Sequence, residues 1–228
     1  MNAVADTLLA GAGPRLPQRR PTAVIFDMDG LMLDTERLDL ALWREVAAAA
    51  GLTMPDALHA RMVGRRAVDS LPLLRGQFGA QAEALRAAVA ARWLATACGP
   101  GLPRKPGLVA LLDRLDALRL PRAVATSTAR ARALVALGPL VARFEVITGG
   151  DEVVHGKPAP DIYLLAAQRL GQLPADCLAL EDSPAGVAAA EAAGVPVVMI
   201  PDAVQPVAPP RYLARSLQDI TDWLAADA

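Results

Sequence analysis

Lysine and histidine are almost missing from this chain of 228 residues. Of its 23 basic residues only Lys105 and Lys157 are lysines, and the two histidines are His59 and His155. So few histidines disfavour reactions built on several His ligands or on a Ser–His pair. Abundant Ala and Arg point to a compositional bias that favours Arg wherever either base serves. A lysine that remains is expected where a compact ammonium is needed. Cysteine is equally scarce. Cys98 and Cys177 lie far apart without metal-ligand spacing, which argues against a disulfide framework and for a reducing, cytoplasmic setting. Charge of one sign is not in excess: the net charge is -1, so nothing electrostatic favours nucleic acid or an anionic membrane surface. No apolar run reaches the ~18–20 residues of a membrane span, because charge or proline breaks each one. Residues 4–12 form a short apolar patch with no basic region before it, a poor secretory signal, and residues 1–20 read as a mobile extension.

The chain does have apolar residues in quantity. At 54% hydrophobic it can bury a substantial core, either as one large domain or as a core with one insertion. Residues 22–26 (TAVIF) form a short β-branched run ahead of Asp27-Met28-Asp29-Gly30, a buried strand followed by a turn. From Glu36 to about Cys98 the pattern changes to Ala/Leu/Arg-rich stretches with helical spacing, broken near 51–55, Gly64 and 76–80. This predicts an all-helical insert, closed by the breaker cluster 99–103 (GPGLP). Strands and helices then alternate: helix 106–118, strand 122–125, helix 129–137, strand 144–148, helix 161–170, strand 177–180, helix 184–193 and strand 195–200. Such alternation implies an α/β fold with a parallel sheet and helices on both faces. Ligands gather at the carboxyl ends of such strands.

Four strand ends carry polar residues. Asp27 and Asp29, two apart, point the same way as they leave a strand. Two carboxylates sharing a mouth repel unless one keeps its proton or a cation such as Mg²⁺ joins them; the alternative is a solvated Asp-Gly turn. Thr126-Ser127-Thr128 offers hydroxyls and amides to a phosphate, or caps the helix that follows. Lys157, between Gly156 and Pro158, suits charge neutralisation, or is a solvated turn lysine. Glu181-Asp182-Ser183-Pro184 is a good helix start, which leaves two acids after an apolar strand in need of a cation or partner. Singly these are ambiguous; together, in this order within one α/β pattern, they describe one phosphate site.

The segments VIFDMDGLMLDTE (24–36), VATST (124–128), GKPAPDIY (156–163) and LEDSPAGVAAAEAAG (180–194) resemble the four motifs of the haloacid dehalogenase superfamily, in order and spacing, and the similarity runs from about Thr22 to Ile200. The resemblance implies a Rossmann-like core (21–35 and 102–228) with an inserted helical cap (36–101). It implies Asp27 as nucleophile and Asp29 as general acid/base. Thr126 and the Ser127 amide would hold the phosphate, and Lys157 would balance charge. Mg²⁺ would be bound by Asp27, Asp182 and the Asp29 carbonyl, with Glu181 a ligand or an acid behind the ligands.

Within that superfamily Asp29 argues against dehalogenation, since a halide leaving group needs no proton. Residues 36–101 contain no lysine, which argues against phosphonatases and their cap Schiff base. The expected activity is hydrolysis of small phosphorylated metabolites, sugar phosphates foremost. The rival is a β-phosphoglucomutase-like activity, because 62–71 (MVGRRAVDSL) resembles that branch's cap loop. Asp39 and Ala67, however, stand where that branch has a cap histidine and a phosphate-gripping arginine. Arg65 and Arg66 lie nearby and are candidate grips for a substrate anion. A receiver-like signalling domain, or a silent phosphate-binding protein, is the reading from another class. The expected partner is a small phosphorylated metabolite, with the chain a monomer or small homo-oligomer.

Overall fold

β1 (Ala23–Phe26), β2 (Arg122–Ala125), β4 (Cys177–Glu181) and β5 (Val197–Met199) are short runs in which every residue is buried. Strands covered on both faces read as continuous apolar stretches, without the alternation of a half-exposed sheet. The computed structural model describes residues 13–98, 101–202 and 210–226. With β3 (Val146–Thr148) and β6 (Tyr212–Leu213), these strands make a six-stranded sheet of order β3-β2-β1-β4-β5-β6. Every pairing is parallel, and Ile25 of the central β1 sits opposite Ala123 on one side and Ala179 on the other.

Successive side chains of a strand face opposite ways, and β1 divides accordingly. Val24 and Phe26 join one apolar cluster; Ala23 and Ile25 join the other. The first face is covered by α5 (Leu108–Ala117), α6 (Arg130–Leu137) and α9 (Leu217–Ala225); the second by α7 (Asp161–Arg169) and α8 (Pro184–Ala192).

From Thr35 to Cys98 the chain forms helices and no strand: α1 (Thr35–Ala49), α2 (Asp56–Met62), α3 (Ala67–Phe78) and α4 (Ala82–Cys98). They make a cap whose apolar interior is continuous with the cluster on the Val24 and Phe26 face of the sheet, and in it Trp43 stacks on Phe78 with ring centroids 6.4 Å apart. On α4, Leu85, Val89 and Trp93 are buried at a spacing of four, one face of a helix. The two linkers to the core run side by side: the Asp34 amide donates to the Pro103 carbonyl at 2.8 Å and the Lys105 amide to the Met32 carbonyl at 2.8 Å. Lys105 secures this junction through Asp202 at 2.6 Å.

Two regions differ from the sequence expectation. Residues 13–20, placed in a mobile extension, hold an antiparallel bridge in which Arg15 and Leu213 exchange backbone hydrogen bonds of 2.8 Å at the sheet edge. Arg20 adds a cation–π contact with Trp223 at 4.5 Å. The part of the extension before residue 13, and positions 99 and 100 of the breaker cluster, lie outside the described residues. β6 and α9 lie beyond the recognised alternation, which ended at residue 200. No described helix is long and apolar enough to cross a membrane.

Candidate active site

The sheet order decides what meets. Asp27 follows β1, Thr126 follows β2, Glu181 closes β4 and Asp182 comes next, so three adjacent strands aim polar residues at one edge. The chain leaves β1 toward β2 and β3, then crosses back to β4 on the other side, making a switch point where a crevice opens. Lys157 arrives from the loop after β3 and is almost wholly buried. Its Nζ donates to Asp27 Oδ1 at 2.5 Å, to Glu181 Oε1 at 2.5 Å and to the Ala125 carbonyl at 3.0 Å. Burial works against the ammonium, but Asp27 and Glu181 outweigh it and hold the Lys157 pKa above its ordinary value.

The acids at this edge outnumber the lysine. Asp27, Glu181 and Asp182 are buried and offer oxygens all within 4.8 Å of one another. Burial, against the pull of Lys157 and with the help of Glu181 and Asp29, raises the Asp27 carboxyl to about 8. Burial together with Asp27 and Glu181 drives Asp182 well above the usual carboxylate range.

Glu181 differs from the other two. Its Oε1 accepts from Lys157 and from the Tyr163 hydroxyl at 2.6 Å; its Oε2 accepts from the Ser183 hydroxyl at 3.2 Å. The Asp182 carboxylate receives no hydrogen bond or ion pair from the described residues. A buried carboxylate without a partner is costly, and a hard divalent cation is what a pair of such oxygens suits. The donor set therefore fits Mg²⁺, with Asp27 and Asp182 turned to it and Glu181 engaged behind them. Gly30 makes room for this approach: at φ +81 it adopts a left-handed conformation, and a Cβ there would collide with the Asp182 carboxylate. Gly186 does the same for Glu181.

Asp29 is turned to hydroxyls instead. Thr35 donates to its Oδ1 at 2.8 Å, while Thr128 and Thr126 donate to Oδ2 at 2.8 and 3.2 Å. Its carboxylate is thus not among the clustered acidic donors Asp27, Glu181 and Asp182. The hydroxyls after β2 do not cap α6, whose N-cap is Ala129 and whose Arg130 amide is accepted by Asp151 at 2.7 Å. Ser127 donates across to the Gly64 carbonyl of the cap at 2.7 Å. Between cap and core lies a cavity of about 350 Å³ into which Asp27, Asp29, Glu36, Asp39, His59 and Arg65 face. Burial, then Asp29 and Asp39, raise the Glu36 carboxyl well above its ordinary value. His59 and Asp39 meet at 3.1 Å.

A family description, haloacid dehalogenase-like hydrolase, matches residues 21–194. The chain belongs to that family. Among curated relatives, protein CbbY of Rhodobacter capsulatus is 40% identical over 192 residues, covering 78% of this chain and 85% of its own. The phosphorylated carbohydrates phosphatase of Thermotoga maritima is 36% identical over 177 residues, covering 76% and 82%. Among solved structures, CbbY of Rhodobacter sphaeroides in complex with xylulose-(1,5)-bisphosphate superposes with a TM-score of 0.75 at 26% identity, covering 86% of this chain and 95% of that one.

In this haloacid dehalogenase-like hydrolase the two candidate anion grips part company. Arg65 is exposed and faces the cavity. Arg66 is engaged elsewhere. Its Nε and Nη2 donate to both oxygens of Asp69 at 2.6 and 2.9 Å, and its Nη1 donates to the carbonyls of Val153 and Val154 at 3.0 and 3.1 Å. It clasps the cap to the core. The sequence pattern pointed to no task for Thr35 or Tyr163, and it marked Thr128 as part of a phosphate cradle or helix cap rather than as a partner of Asp29. Tyr163 lies inside the lysine motif, six residues past Lys157, and that proximity was the one available signal.

Proposed function

We propose that this protein is a Mg²⁺-dependent phosphatase that hydrolyses small phosphorylated metabolites of carbohydrate type through an aspartyl-phosphate on Asp27. The observation that carries the reading is the pair Asp27 and Asp182, buried side by side; among the described residues only Lys157 donates to the Asp27 carboxylate and none donates to that of Asp182. The relatives support it, since one is named for phosphorylated carbohydrates and a solved one holds a sugar bisphosphate.

Bound Mg²⁺ would supply positive charge for the transferring phosphoryl oxygens and keep Asp27 ionised. Lys157 fixes one Asp27 oxygen and leaves the other to attack phosphorus. Asp29, poised among three hydroxyls, gives a proton to the departing alkoxide and then takes one from the water that cleaves the acyl phosphate. This is covalent catalysis with one group acting as acid and then base. Thr126 and the Ser127 amide hold the phosphoryl group, and the Ser127 hydroxyl is already committed to the cap. A mutase reading is weaker because Ala67, in the cavity wall, stands where that branch grips phosphate. A receiver-like role sits poorly with a helical cap between the first two strands.

Wild-type protein is expected to hydrolyse p-nitrophenyl phosphate with Mg²⁺, to stop in EDTA and to recover when Mg²⁺ returns. Asp27→Asn should abolish turnover without unfolding the chain. Metal-independent hydrolysis, or substantial activity in D27N, would refute the proposal.

A further inference from the structure

Two arginines in the cavity wall have no task in the reaction described above. Arg86 projects from α4 of the cap, on the face it shares with Val89, Ala90 and Trp93, and Arg132 projects from the first turn of α6 in the core. In each, Nε is shielded from solvent and has no hydrogen-bond partner. Neither guanidinium forms a hydrogen bond or ion pair with a described residue. The contrast with Arg66, whose donors are met by Asp69 and core carbonyls, is sharp.

Arg132 is also held in a defined plane. Its Cζ lies 3.7 Å from the centroid of the Trp93 ring, so the ring occupies one face of the guanidinium. The donors of a guanidinium lie in its plane, and stacking therefore leaves them available at the edge. Burial lowers the Arg132 pKa while Asp29 and Asp39 support the charge, yet neither carboxylate reaches ion-pair distance. Shielded donors that find no protein partner are costly to leave unmet. A planar fork is the geometry that matches a carboxylate or phosphate through paired hydrogen bonds. The transferring phosphoryl group already has Lys157 and the strand-end donors, whereas Arg86 belongs to the cap that roofs the cavity.

We propose that Arg86 and Arg132 form a second anion subsite straddling cap and core, selecting phosphomonoesters that carry another oxyanion group, carboxylate or phosphate, at the far end. The proposal rests on the phosphatase reading for its chemistry, but the binding it asserts can be measured without turnover. In the D27N protein with Mg²⁺, calorimetry would compare two matched pairs: 3-phosphoglycerate against glycerol 3-phosphate, and fructose 1,6-bisphosphate against fructose 6-phosphate. At least one doubly anionic probe is expected to bind ~10- to 100-fold more tightly than its partner, as fits one or two charge-assisted hydrogen bonds. The pair that shows the larger gap identifies carboxylate or phosphate as the preferred group.

R86Q and R132Q should each shrink that gap. R132K, which keeps the charge but loses the fork, should retain only part of it. In active enzyme the same substitutions should lower the ratio of kcat/KM between members of a pair, chiefly through KM. Equal affinity within both pairs, or a gap that survives R86Q/R132Q, overturns the subsite. Failure of wild-type protein to hydrolyse p-nitrophenyl phosphate would instead overturn the phosphatase reading and leave the binding comparison standing.

Discussion

Lys157 Nζ touches oxygens from three strand ends at once, and the acid behind it is held in turn by Tyr163 and Ser183. Glu181 is in effect the keystone of this arrangement: it fixes the ammonium, and two hydroxyls fix it. Removing the Tyr163 hydroxyl should loosen the set without opening a void. A buried hydrogen bond to a charged group contributes ~1.5–3 kcal/mol, so Tyr163→Phe should lower the melting temperature by about 3–10 °C in a chain of this size. Scanning calorimetry at neutral pH would check it; an unchanged midpoint would mean that the hydroxyl adds nothing to the site's stability. At the same scale, the principal acids, the lysine and the first hydroxyl of the site were legible in the sequence, because each leaves a recognisable apolar run. The pairing of Thr128 and Thr35 with Asp29 was not. A threonine 99 positions from Asp29 announces no pairing until the sheet has brought β1 and β2 together.

At the scale of elements, the cap is attached by its two linkers and by the Arg66 clasp. Arg66 joins the start of α3 to the carbonyls of residues 150, 153 and 154. Arg66→Ala should leave each half folded while freeing them from one another. Amide exchange measured by mass spectrometry should accelerate several-fold in segments 63–70 and 150–155, because protection reports local opening. Equal exchange in wild type and variant would show that the clasp does not hold the cap. The elements themselves were mostly readable: β2 falls where it was expected, and helices fill the segment from Glu36 to Cys98. The edge was not. A two-residue strand such as β6 carries no periodicity, and Arg15 pairs with it across most of the chain. The tasks of Arg65 and Arg66 were equally hidden, since adjacent residues at a helix start diverge only once α3 has docked.

For the whole molecule, the consequence is a dependence on pH and metal. Asp27 and Asp182 have folded-state pKa values raised by burial, the former to about 8. Between about pH 4 and pH 8 the metal-free folded protein therefore holds protons that the unfolded chain has released. Stability then falls as pH rises across that window. Mg²⁺ takes the place of those protons, so its stabilisation should be small near pH 5 and large near pH 8. A ligand at ~100 times its dissociation constant contributes ~2.7 kcal/mol, or about 5–10 °C for a chain of this size. Thermal melts in EDTA and in Mg²⁺ at the two pH values would check this, and a metal increment that does not grow with pH would contradict it.

Lys157 has one more consequence, in the terms of mutation. A single A-to-G transition converts a lysine codon to an arginine codon, and in a chain so rich in arginine that change leaves net charge and composition almost untouched. At residue 157 it would replace a point donor that meets three oxygens at 2.5–3.0 Å with a flat fork that cannot meet all three. Arginine serves at all but two of the 23 basic positions of this chain, yet at residue 157 its geometry would fail.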